Sequence, residues 1–309
     1  EARRLESRRS LQRLHSDVIK AWHGLAVAKQ SARAWAKAAE AARTARRNAL
    51  SASEQGMADR SRILQARVRA SEIEAELAKA KAEESLAAQS LTVLLGGFPI
   101  SEDARIEGIA VDTLRLFSES LSDSGLSLAL ALSRTNQSLA QKDLCRARAA
   151  WLPRLNGMAR LDWKGRGEMD DRDPSWTVGL AARWDLFQGL KEWGQEASAR
   201  ARLAMAREGL ASQERMEVLE RNTWTLRSQV ALERLAIAQE GVEAAVEVSR
   251  IAQLKYAEGL MDQSEWLGAL AEEAKAVVAL EALRLEAVEA LGNRAMALGM
   301  DPARMVERK

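Results

Sequence analysis

WLPRLNGMARLDW (151–163) and WTVGLAARWDLFQG (176–189) are the two runs whose reading decides the fold, because they alternate with a period of two inside a chain that otherwise has the period of a helix. Pro153 opens the first run and ends the preceding helix, since its ring removes a backbone donor and clashes with the turn before it. Leu155, Gly157, Ala159, Leu161 and Trp163 then fall on one face, and Asn156, Met158, Arg160 and Asp162 on the other. In the second run Trp176, Val178, Leu180, Ala182, Trp184 and Leu186 alternate with Thr177, Gly179, Ala181, Arg183 and Asp185. The stretch from Gly165 to Pro174 between them is a charged turn rich in Gly and Asp. Each strand has roughly 11 to 13 residues, about twice the usual globular strand and suited to a tilted bilayer crossing. Trp176 and Trp184 lie about 27 Å apart along the strand, enough to put an aromatic ring near each interface. A soluble amphipathic hairpin packed on helices satisfies the same alternation, so the flanking segments must decide.

Outside the hairpin the composition is that of long helices. The 309 residues are 47% apolar and 29% charged, with only four prolines, and Ala, Arg, Glu and Leu dominate. A formal net charge of +2 supplies no global basic field for nucleic acid. Clusters such as Arg3, Arg4, Arg8, Arg9 and Arg43, Arg46, Arg47 read as solvated helix faces. No run of 18 apolar residues exists, so any crossing of a membrane has to be a closed barrel. One hairpin cannot close a barrel, and further strands are expected from other copies or from a segment upstream of Glu1, where a targeting sequence is also expected. The single Cys145 excludes an intrachain disulfide and is expected to be a small buried side chain.

In chain order, residues 1–96 read as a long helix, a tip turn at 56–59 where Gly56 breaks it and Asp59 can cap the next helix, and a return helix with apolar contacts at Ile63, Leu64, Val68, Ile73 and Leu77. Residues 97–125 form a connector carrying one short strand or helix, and 126–152 a helix leading to the hairpin at 153–188. Residues 189–299 give a helix of about 100 Å, a tip turn at 258–262, and a second return helix; 300–309 is a tail. The long helix carries two apolar seams, Leu219, Leu226, Val230, Ile237 and Leu235, Val242, Val246, and so expects a neighbour on each.

The chain repeats itself. QGMADRSRILQA (55–66) aligns without a gap on EGLMDQSEWLGA (258–269) at an offset of 203, and Leu95 and Gly96 fall on Leu298 and Gly299 at the same offset. The unit is therefore helix, hairpin, very long helix, tight turn, return helix. By the same register a first hairpin is expected before Glu1.

These residues resemble the outer-membrane efflux protein family of Gram-negative bacteria, the TolC-type channels, over nearly the whole chain. The family's turn signature is matched by Gly259, Asp262, Glu265, Leu267 and Ala269, and more loosely by Gly56, Asp59, Arg62, Leu64 and Ala66. Its second signature is matched by Trp151 to Pro153 before the first strand, and by Trp184, Phe187 and Gly189 after the second. Asp59 and Asp262 stand where the family has Ser or Thr, a change expected to keep the helix N-cap because Asp caps equally well, and Arg62 stands where it has an acid. The resemblance implies a homotrimer, with strands joined in an outer-membrane β-barrel and long antiparallel helices in a periplasmic α-barrel. It implies that the tips (Gly56, Asp59, Ser61 and Gly259, Asp262, Ser264) dock a periplasmic adaptor that links to an inner-membrane pump, in drug, metal or type I protein export. It also implies that Glu265 belongs to the constricted entrance, where acids repeated by symmetry attract cations; a solvated helix-face acid is the plain alternative. Trp163, Trp176 and Trp184 are the expected interface aromatics, with outer-membrane lipid around them.

A soluble coiled-coil scaffold is the alternative from another class, and the long alternating strands discriminate against it. An enzyme is the weakest reading. The only two histidines, His15 and His23, lack metal-ligand spacing, and no nucleophile elbow, phosphate loop or cysteine pair occurs. No catalytic residue, metal or cofactor is expected.

Overall fold

Runs of Ala, Leu, Arg and Glu uninterrupted by proline lose little side-chain freedom in a helix, and helices dominate the computed structural model, which describes residues 1–54, 60–100, 106–122, 125–165, 172–184 and 189–307. The order is α1 (Ala2–Glu54), α2 (Arg60–Leu94), α3 (Val111–Ser120), α4 (Leu128–Ala149), β1 (Arg154–Gly165), β2 (Arg172–Arg183), α5 (Lys191–Ala257), α6 (Gln263–Ala297) and α7 (Arg304–Glu307). β1 and β2 form one two-stranded antiparallel sheet. No described helix is long and apolar enough to cross a membrane. The chain divides into two units, Glu1–Leu5 with Ala129–Met216, and Glu6–Leu128 with Glu217–Lys309.

In the first unit, α4 packs on α5 through Leu144 against Ala199 and Leu203, with Ala140 and Ala147 at the margin. Arg148 bridges to Glu196 at 3.3 Å. Because Leu144 takes the buried face, its neighbour Cys145 points outward and is exposed, which corrects the expectation of a buried thiol. The strand register pairs Leu155 with Ala182, Gly157 with Leu180, Ala159 with Val178 and Leu161 with Trp176. The ladder continues to Gly165 opposite Arg172, deeper into the charged stretch than the alternation indicates. Pro174 is tolerated there, opposite Trp163, because each strand of a two-stranded ribbon has an unpaired edge.

In the second unit the core seam is built largely from alanine. Ala66, Ala70, Ile73, Leu77 and Ala80 are buried along α2, a spacing of four and three that keeps one stripe facing its neighbours. Ala70, Ile73, Leu77 and Ala80 meet Ala32, Trp35, Ala39 and Ala42 of α1 and Leu267, Leu270 and Ala274 of α6. By contrast Leu64 and Val68, expected as contacts, are exposed. The connector forms a helix, α3, whose Val111, Leu114 and Phe117 pack on Ala231 and Leu235 of α5 and on Ala287, Val288 and Leu291 of α6. Of the two α5 seams, Leu235 is buried, while Leu219, Leu226, Val230 and Ile237 remain exposed in the single chain.

The repeat is geometric. α2 and α6 each have 35 residues and start and end 203 positions apart, and so do the ends of α1 and α5. Both return helices stop in the same way. Gly96 donates to the Val93 carbonyl and Gly97 to Thr92; Gly299 donates to Met296 and Met300 to Ala295. Gly96 and Gly299 have φ of 76° and 75°, the left-handed conformation that a residue without Cβ adopts freely at a helix end.

Candidate functional site

The expected functional residues belong to the two tips and the hairpin, and the turn between α5 and α6 is the tip that is described throughout. At the turn, α5 ends when Gly259 enters the left-handed region at φ 71° and Leu260 donates back to the Lys255 carbonyl at 2.8 Å. Asp262 comes next with extended backbone as the residue preceding α6. Its carboxylate caps no backbone N–H of the helix; it accepts the Ser264 hydroxyl at 3.0 Å. The expectation that Asp262 caps like the family's Ser or Thr is corrected in that respect. Across the turn Tyr256 and Trp266 stack with ring centroids 4.7 Å apart and planes 9° from parallel. Burial and the nearby Asp262 carboxylate raise the Tyr256 pKa. Trp266 sinks into the alanine seam at 8% exposure, whereas Glu265 beside it is exposed and Leu260 presents 73% of its surface to solvent. This stacked pair has no counterpart in the first repeat, where Ser53 and Ile63 occupy the positions 203 residues earlier. Of the first-tip residues, Gly56 and Asp59 lie outside the described residues and Ser61 is exposed.

At the hairpin the register sets Leu155, Gly157, Ala159 and Leu161 opposite Ala182, Leu180, Val178 and Trp176, so that one oily face results, while Ala181 on the other face lies opposite Asn156. No described residue covers it: Trp176 is 74% exposed and Leu180 89%. Trp163 belongs to β1, and its side chain lies outside the described set, as do Leu186 and Phe187. Trp184 just beyond β2 donates its indole N–H to the Trp151 carbonyl at 3.1 Å. Trp151 in turn meets Trp193 of α5 edge to face, 6.0 Å between centroids. Trp193 belongs to the helix after the hairpin and so falls outside the strand alternation; its signal in the sequence is the clustering of five of the nine tryptophans between 151 and 193.

The histidines have separate surroundings. His15 Nδ1 sits 3.0 Å from the Asp301 carboxylate. His23 is buried, and burial, with the Arg284 charge, lowers its pKa to about 4. No cluster of three potential metal ligands occurs among the described residues.

The arrangement of hairpin, long helices and return helices is shared with solved outer-membrane channels. The Campylobacter jejuni CmeC outer membrane channel superposes with a TM-score of 0.70 at 16% identity, over 96% of this chain and 66% of that one. VceC from Vibrio cholerae gives 0.70 at 20% identity, over 97% of this chain and 72% of that one. The open state of the Neisseria gonorrhoeae MtrE channel gives 0.65 at 17% identity, over 94% of this chain and 68% of that one. The chain thus spans about two thirds of the length of these channels, and at such identities the likeness shows the fold. No curated protein matches the chain by sequence. The family model for outer membrane efflux proteins matches residues 125–299. That match takes in the hairpin, the whole of α5 and α6 and more than half of the chain, which therefore belongs to the outer membrane efflux protein family.

Proposed function

We propose that this chain is the channel component of a tripartite efflux or type I secretion system. It is a passive homotrimeric conduit without chemistry of its own, resident in the outer membrane with a large periplasmic part. The hairpin supplies transmembrane strands to a shared β-barrel, with Trp163, Trp176 and Trp184 near the lipid interfaces, and the helices form the periplasmic α-barrel. The observation that carries this is the uncovered oily face of β1 and β2, whose residues face one another strand to strand. A soluble protein has no reason to keep such a face in water. The exposed α5 seam supports a neighbouring copy against the helices.

In this reading the tips at Gly56, Asp59, Ser61 and Gly259, Asp262, Ser264 dock a periplasmic adaptor that connects to the inner-membrane pump. Glu265, exposed beside the buried Trp266, is the acid of the periplasmic entrance. Cell fractionation with the full chain tests the reading. Recovery in the outer-membrane fraction, with release only by detergent and as a trimer, is expected; a monomer recovered in the aqueous fraction overturns it in favour of a soluble coiled-coil scaffold.

A further inference from the structure

Where α4, the hairpin and α5 meet there is a groove of about 740 Å³. Its walls carry Arg146, Arg154, Lys191 and Arg202, against the single carboxylate of Asp143, with Ser198 as a neutral donor. Asp143 is already engaged by Arg146 at 3.4 Å. The side chains of Arg154, Lys191 and Arg202 have no ion-pair or hydrogen-bond partner among the described residues. Arg154 is the first residue of β1 and Lys191 the first of α5, so these two cations lie at the base of the hairpin, with Arg202 about three turns further along α5. The tryptophans at 151, 184 and 193 come together at the same base. Amphipathic rings belong at headgroup level, and a basic pocket at that level is the arrangement that holds an anionic headgroup. The positive end of the α5 dipole adds to the same field.

We infer that this groove binds the phosphate of an anionic phospholipid at the periplasmic face of the outer membrane, locking the hairpin base to the bilayer surface. The inference rests on the membrane reading of the hairpin. Two helices and a strand contribute cations, so headgroup binding adds to the Trp cluster, the Leu144 contact and the Arg148–Glu196 ion pair that already join these segments. Phosphatidylglycerol is the natural probe, since it carries one negative charge on its phosphodiester, and phosphatidylcholine is the matched neutral one.

The test uses the full chain in dodecylmaltoside micelles doped with either lipid, with bound lipid counted by native mass spectrometry. Arg154→Gln with Arg202→Gln is expected to weaken phosphatidylglycerol retention roughly ten- to thirty-fold. Arg207→Gln with Arg215→Gln, which removes the same charge from exposed α5 positions outside the groove, is expected to leave it unchanged. Equal retention by the groove variant, equal loss in the control pair, or equal retention of phosphatidylcholine by the unmodified protein overturns the inference. So does inorganic phosphate that displaces the lipid at equal concentration, which would make the groove a free-anion site. A detergent-dependent protein that fails these tests loses only the groove assignment, whereas a chain that stays in the aqueous fraction without detergent defeats the membrane reading itself.

Discussion

Gly259 is the residue at which substitution discriminates best. Its φ of 71° lies where an L side chain crowds the following carbonyl, and branching at Cβ makes this worse. Gly259→Val is expected to cost about 2 kcal/mol and to abolish adaptor cross-linking while leaving trimers in the membrane. Unaltered export by that variant would remove the second tip from the docking proposal. His23 gives a pH prediction. Its pKa falls from 6.5 unfolded to about 4 in the fold, so the folded state prefers the neutral ring. The stabilisation is complete above pH ~6.5 and is lost as pH drops toward 4, at most about 3 kcal/mol. Glu281, raised by burial despite Arg284, opposes this, because its folded form gains protons more readily as acid is added. Thermal melts by circular dichroism between pH 7 and 4 should therefore show a falling Tm in the unmodified chain and a visibly flatter profile in His23→Gln. Identical profiles would mean that the ring is solvated.

At the scale of the element, the hairpin and the alanine seam behave differently. Leu180 lies midway between Trp176 and Trp184 on the oily face, 89% exposed, and Leu180→Arg puts a charge where lipid is proposed. At about 2–4 kcal/mol per cation at the bilayer centre, the variant is expected to accumulate outside the membrane fraction, and normal insertion would mean that this face does not meet lipid. In the seam Ala70 is 2% exposed between α1, α2 and α6, with α2 and α6 approaching to within 8 Å between Cα atoms. Ala70→Leu should destabilise by about 1–3 kcal/mol through overpacking, read as a lower melting temperature. The contrast explains what could be read in advance. Alternation over the two strands, the glycines at 96, 259 and 299, and the 203-residue offset all act locally and leave a mark in the sequence. Ile73 and Leu77 of the seam are legible as contacts and are buried, but its alanines are not legible, because alanine serves equally as filler and as close contact, and the bulkier Leu64 and Val68 face outward. Asp262 escaped for another reason: its type favours capping, yet the Ser264 hydroxyl takes its carboxylate.

For the whole molecule, the unfinished surface is the exposed α5 seam. Leu219, Leu226, Val230 and Ile237 succeed one another at intervals of seven, four and seven, so they form a stripe with the spacing of a coiled-coil contact. Such a stripe left to water is a standing cost, and a symmetric assembly removes it by burying the same helix face in every copy. Leu226→Glu combined with Ile237→Glu places carboxylates where the neighbour is proposed, and the protein in detergent is expected to shift from trimer to monomer in size-exclusion chromatography with light scattering. Its helix content by circular dichroism should stay the same, since both side chains are already exposed in the single chain. Leu235 is the internal comparison. It lies on the same helix, is fully buried against α3 and α6, and Leu235→Ala should lower stability by about 2–5 kcal/mol at unchanged oligomeric state. If instead the charged pair leaves the trimer intact, the copies meet through some other surface of the chain, and α5 presents this stripe to a different partner.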